Sequence, residues 1–151
     1  MKVKDILGRK RPLVSIVKPT DTMEYLSRVL RENHVGAAVV SADGQTIDGV
    51  ITERDISYGL AVHKAELHAL PVSKLMTKTV ITCAPEDRVA MVASTMLSAK
   101  IRHIPVVRDA RFIGMVSIRD VLNVRVDELQ QLTAQLRTTV TEAERPLQDR
   151  D

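Results

Sequence analysis

Apolar positions recur at helical spacing in two stretches of the chain: Met23, Leu26, Val29 and Leu30, and again Val89, Val92, Met96 and Leu97. Spacings of three and four residues line one side of a helix, so each stretch predicts an amphipathic helix with one buried face. Pro19 with Asp21 precedes the first stretch and Pro85 with Asp87 the second, an offset of 66. The Asp, or a neighbouring Thr, is the expected cap, because a short side-chain acceptor satisfies amides that the first helical turn leaves unpaired. Short apolar runs around these helices predict buried strands. They lie at 14–17 and 35–40 in the first half and at 80–83 and 101–107 in the second. Segments 49–55 and 114–120 each begin as an apolar strand and run into a polar helix start. The connection that holds the turn at 42–44 is longer by one residue than the one that holds its counterpart at 108–111, and the offset drops to 65. Short lead-in helices are expected at 3–7 and 72–76.

The chain is therefore an internal repeat. Each half reads strand, helix, strand, strand, helix, a mixed α/β (α+β) arrangement. A half of about 60 residues buries too little apolar surface to stand alone, so two halves packed about a pseudo-twofold axis is the expected architecture. The expected division is 1–61 for the first repeat, 62–71 for a linker, 72–125 for the second repeat and 126–151 for a C-terminal helix and tail. His63 and His68 fall in the linker. Their spacing of five puts them on different helix faces with no cysteine or carboxylate cluster nearby, so solvated histidines are expected there and no metal.

Composition narrows the chemistry. At 151 residues and 44% hydrophobic the chain is long and apolar enough to fold. Aromatic residues make up only 2%, with no Trp. The core must be aliphatic, and any flat ligand must be held by aliphatic walls and backbone. The 22 basic and 19 acidic residues are dispersed, leaving +3 overall, so a nucleic-acid surface is not expected. No run approaches the ~18 apolar residues of a membrane span, and a cytoplasmic protein is expected. The single Cys83 has no His near it in sequence and reads as an ordinary buried thiol. There is no Walker-type glycine loop, no His-Glu-x-x-His, no Gly-x-Ser-x-Gly and no cysteine pair, so no enzyme constellation is present.

The halves agree most closely in Gly49-Val-Ile-Thr-Glu-Arg-Asp55 and Gly114-Met-Val-Ser-Ile-Arg-Asp120. Thr52 with Asp55, and Ser117 with Asp120, have the spacing of a helix capping box. The doubled segment resembles the tandem CBS domain, and what that resemblance implies for the same groups is a nucleotide. A carboxylate accepts from both ribose hydroxyls, while the Thr52 or Ser117 hydroxyl and the adjacent helix amides suit a phosphate. Arg54 and Arg119 lie in the same segments and are candidate phosphate partners. Two copies in register favour the ligand reading over the cap alone.

The doubled Gly-apolar-apolar-Ser/Thr-x-x-Asp, each behind a Val/Ile-rich strand, resembles the tandem CBS domain, or Bateman module, over roughly residues 1–125. That resemblance implies two repeats packed sheet to sheet, with a cleft on each side of the pseudo-twofold axis for an adenosine-containing regulatory ligand. AMP is expected first and NAD(H) second, with ADP, ATP and S-adenosylmethionine as alternatives. Val35, Gly36, Ala37, Ile101, Ile104 and Pro105 become the expected adenine pocket, its edge read by backbone near 14–17 or 80–83. Arg102 and His103 stand where the first half has Gly36 and Ala37, so the Asp120 cleft is expected to carry extra positive charge and bind phosphorylated ligands more tightly.

Beyond Asp120 the pattern becomes a heptad, with Leu122, Leu129 and Leu136 seven apart and Val126, Thr133 and Val140 in the alternating position. It continues to about Ala143, with Pro146 and the charged residues 149–151 expected to end it. A homodimer contact along this helix is expected, with signalling to an effector protein in trans. The rival reading is an interaction or dimerisation module with empty clefts.

Overall fold

In the computed structural model, which describes residues 1–9 and 14–143, the predicted elements form two aliphatic cores. The first contains β1 (Ile16–Val17), α2 (Met23–Asn33), β2 (Ala37–Val40), β3 (Gly49–Thr52) and α3 (Glu53–His63), after an N-terminal helix α1 (Val3–Arg9). The second contains α4 (Val89–Ala99), β4 (His103–Arg108), β5 (Arg111–Ser117) and α5 (Ile118–Ala143). In the first repeat β1 runs parallel to β2, pairing Ile16 with Val39, and β2 runs antiparallel to β3, pairing Ala37 with Thr52. In the second, β4 and β5 are antiparallel, with His103 opposite Ser117.

The strand expected at 80–83 shrinks to a single parallel bridge between Cys83 and Val106. Pro105 explains the loss. In the first repeat the Val39 amide donates to the Ser15 carbonyl at 2.9 Å. The equivalent donor in the second repeat is the nitrogen of Pro105, which has no hydrogen, so the ladder cannot extend to Ile81.

The lead-in segments are exchanged between the cores. Val3 and Ile6 of α1 are buried with Cys83, Val89, Ile104 and Val116 of the second repeat. Val72, in a short 3-10 turn (Val72–Lys74) where a lead-in helix was expected, is buried with Val17, Met23 and Leu26 of the first. Backbone bonds fix the exchange: Val3 N–H donates to the Asp87 carbonyl at 2.9 Å, and Val72 N–H to the Asp21 carbonyl at 2.7 Å. The glycines that open the repeated motif make room for it. A Cβ on Gly49 would stand 2.7 Å from Met76 Sδ and 2.9 Å from the Thr77 carbonyl oxygen, and one on Gly114 would stand 2.7 Å from Leu7 Cδ2.

Capping differs from expectation in one respect. Thr22 caps α2, its hydroxyl accepting from Tyr25 N–H at 3.2 Å. Asp21 and Asp87 cap the preceding turns instead, accepting from Lys18 N–H at 2.7 Å and Ala84 N–H at 2.8 Å, and α4 follows Arg88 without a side-chain cap. Three residues separate each acceptor from its donor, which closes the turn before the helix starts. Both helices end in left-handed residues, His34 and Lys100.

The linker is ordered as a 3-10 turn (Lys64–Ala69) that seats Leu67 in the first core. His68 is exposed, and among the described residues no group of histidines, cysteines and carboxylates has the placement to hold a metal. No described helix is long and apolar enough to cross a membrane. Helix α5 runs unbroken through 26 residues, but only Val121 and Val124 are buried. Leu122, Val126, Leu129, Leu132, Leu136 and Val140 are each at least half exposed. The expected stop at Pro146 and residues 149–151 lies outside the described residues.

Candidate functional site

Each repeat ends a strand in a hydroxyl residue and begins a helix with the carboxylate three residues on. Asp55 Oδ2 accepts from Thr52 N–H at 2.8 Å and from the Thr52 hydroxyl at 3.2 Å. Asp120 Oδ2 accepts from Ser117 N–H at 2.8 Å and from the Ser117 hydroxyl at 2.9 Å. In the second copy Asp120 N–H also donates to Ser117 Oγ at 3.3 Å. The capping box therefore forms in both repeats, and both carboxylates remain half-buried at the mouths of clefts. Each cap is made through one oxygen, Oδ2, at the mouth of its cleft.

The clefts are built crosswise. The first, of about 410 Å³, joins Thr52, Arg54 and Asp55 of the first repeat to Ile101, Arg102, His103 and Pro105 of the second. The other, of about 730 Å³, joins Ser117, Arg119 and Asp120 of the second repeat to Val35, Gly36 and Ala37 of the first. Both volumes suit a small-molecule site. Val80 and Ile81 border the Asp55 cleft, and Val14 and Ser15 the Asp120 cleft. Ile104 is the exception among the expected adenine-pocket residues. It is 1% exposed and packs in the second core, because strand alternation sends it to the face opposite His103 and Pro105.

Crosswise assembly also corrects the expected charge distribution. Arg102 and His103 border both clefts, so the Asp55 cleft does not rely on backbone and shape alone. It gathers Arg54, Lys100 and Arg102 around one carboxylate, Asp55. The Asp120 cleft gathers Arg31, Arg102 and Arg119 with two carboxylates, Glu53 and Asp120. Arg54 Nη1 donates to the Lys100 carbonyl at 3.1 Å, tying the start of α3 to the end of α4 across the two repeats. Arg102 Nη2 lies 3.6 Å from Glu53 Oε1. Lys100, Thr77 and Thr79 in one cleft, and Arg31, His34 and Glu53 in the other, are lining residues that the sequence did not single out. His34 and Lys100 do carry a signal: each directly precedes an expected strand segment, at the same offset of 66 as the opening Pro-Asp pairs.

Cys83 is a core residue. Burial pushes its thiol up to about 11, with Asp87 adding to the shift.

The chain matches the CBS domain family model twice, over residues 3–61 and 72–127. A mitochondrial CBS-domain-containing protein of Arabidopsis thaliana is 38% identical over 122 residues, covering 76% of this chain and 59% of that protein. The chain thus spans little more than half of that relative's length. A CBS-domain-containing protein from Agrobacterium tumefaciens superposes with a TM-score of 0.79 at 34% identity, covering 83% of this chain and 99% of that one. A CBS domain protein from Pyrobaculum aerophilum, solved in complex with AMP, superposes with a TM-score of 0.71 at 29% identity, covering 80% and 89%. A CBS domain pair in complex with 5'-methylthioadenosine and S-adenosyl-L-methionine superposes with a TM-score of 0.73 at 25% identity, covering 82% and 98%. Doubled motif, exchanged lead-ins and crosswise clefts thus have one common explanation: the chain belongs to the CBS-domain family and carries two copies of that domain.

Proposed function

We propose that this protein is a regulatory adenine-nucleotide sensor that binds AMP in the clefts between its repeats and catalyses nothing itself. One observation carries the reading: each cleft sets the hydroxyl-x-x-Asp helix start of one repeat against an aliphatic and cationic wall from the other. The carboxylate accepts from the ribose hydroxyls, the helix-start amides and cleft arginines meet the phosphate, and aliphatic side chains hold the base. Ile101 and Pro105 form that wall beside Asp55, and Val35, Gly36 and Ala37 beside Asp120. A few basic groups per cleft suit one or two phosphates better than three, which ranks AMP first and NAD(H) second. The AMP and S-adenosylmethionine complexes of structural neighbours support an adenosine ligand.

A ligand touching both repeats favours one relative orientation of them, and this population shift is what a partner protein reads in trans. The exposed heptad of α5 supports a second copy of the chain as its direct contact, because Leu at one seam position with Val or Thr at the other suits a two-stranded pair.

Calorimetric titration with AMP, ATP, NADH and S-adenosylmethionine tests the ligand. AMP is expected to bind most tightly, and Asp55→Ala and Asp120→Ala each to remove one cleft's share of the heat. No binding of any of the four rejects the sensor. Truncation after Val126 is expected to lower the mass seen by light scattering, and an unchanged mass removes α5 from the dimer.

A further inference from the structure

The two clefts share a wall, Arg102 with His103, and the carboxylate that pairs with it, Glu53, borders only one of them. Glu53 opens α3, whereas its counterpart at the start of α5 is Ile118. The backbone treats the two alike: Glu53 N–H donates to the Gly36 carbonyl at 3.0 Å and Ile118 N–H to the Arg102 carbonyl at 2.8 Å. The side chains differ. Glu53 crosses to the other repeat and pairs with Arg102 at 3.6 Å, where Ile118 can pair with nothing. Gly36 keeps the crossing open, since a Cβ there would stand 3.2 Å from Glu53 Oε1 and 3.2 Å from His103 Cε1. Arg102 borders both clefts, whereas Glu53 borders only the Asp120 cleft.

We infer that Arg102 is a cation shared between two anion sites, and that Glu53 makes the sites antagonistic for phosphorylated ligands. The inference rests on the reading of the clefts as nucleotide sites. A phosphate in the Asp55 cleft attracts Arg102 away from Glu53, a partner it holds only loosely because both side chains are about half exposed. The Asp120 cleft then loses a cation and faces the Glu53 carboxylate without its Arg102 partner, so a second phosphate binds there more weakly. Reciprocity requires the same penalty in the opposite order of filling. An adenosine ligand without a phosphate makes no claim on Arg102 and leaves the clefts independent.

The test uses the full chain and two single-cleft variants, Asp55→Ala and Asp120→Ala, titrated calorimetrically with AMP and with adenosine. The coupling factor is the overall two-site constant of the wild type divided by the product of the two single-cleft constants. For AMP it is expected to be about one-fifth or lower, and for adenosine it is expected to equal one. Glu53→Gln, made in all three backgrounds, is expected to bring the AMP factor back towards one. Asp→Asn variants, which keep an acceptor for the cap amide, replace either alanine variant that does not fold. An AMP factor of one, an equally low factor for adenosine, or a factor unchanged by Glu53→Gln overturns the shared cation while leaving the nucleotide sites standing. Absence of AMP binding to the wild type is a different result and overturns the underlying reading as well.

Discussion

The two repeats use one backbone plan with different tolerances. The first has a three-stranded sheet and glycine and alanine at the entrance to β2, while the second has a two-stranded sheet with one added bridge and Arg102 and His103 at the entrance to β4. The first repeat keeps the more complete ladder, and the second supplies cations to both clefts. The difference teaches that a pseudo-twofold plan need only preserve what closes the fold, namely the motif glycine, the cap and the exchanged lead-in.

The largest test of this comparison strikes what the repeats share. Gly49→Ala drives a methyl group against Met76 and the Thr77 backbone, so a loss of about 1–3 kcal/mol is expected in denaturant unfolding. Gly114→Ala is expected to cost less, because the atom in the way is the tip of the flexible Leu7 side chain. Equal losses would remove the distinction between a backbone neighbour and a side-chain neighbour. Next in size are the caps. Without ligand, Asp55→Ala and Asp120→Ala should each cost about 1 kcal/mol, and the double variant about the sum. A single variant costing nothing would show that cap to be dispensable in its repeat.

A smaller effect separates Cys83 from Val17, its counterpart in the first core. The folded thiol titrates near 11 and the unfolded one near 9, so the contribution of Cys83 is fully present below pH 9 and is lost as pH rises towards 11. Urea melts across that range should show the loss, and Cys83→Val should reduce it. Smallest is Pro105→Val, which restores the missing donor. The new amide is expected to gain hydrogen-exchange protection as the ladder lengthens towards Ile81, with global stability changed by less than about 1 kcal/mol. An unprotected amide would mean that something other than Pro105 shortens the strand.

Much of this organisation is legible in the sequence because it is local. Apolar period places α2 and α4, and the spacing of Thr52 with Asp55 and Ser117 with Asp120 announces the caps. The loss of the strand at 80–83 was legible in principle, since a proline in the neighbouring strand always withholds a donor. The exchange of the lead-ins was not. Val3 and Val72 carry the same apolar signal whichever core receives them, and only three-dimensional packing decides between the two. That Arg102 and His103 border both clefts, and not the Asp120 cleft alone, was hidden by the same gap, because a cleft assembled crosswise pairs residues far apart in the chain. Ile104 was misread for a simpler reason: of three successive strand residues, the middle one faces the other way.

Helix α5 has one consequence of scale. It starts at Ile118, one residue after the Ser117 cap, and continues without a break to Ala143. At ~1.5 Å per residue its 26 residues make a rod about 39 Å long. Tilting such a rod by about 5° at its base carries the far end through about 3 Å, close to the width of an atom. On the proposed reading of the Asp120 cleft as a nucleotide site, a change there too small to disturb either core would reach the far end of the helix as a displacement large enough to make or miss a contact, and the helix would work as a pointer pivoting on that cleft.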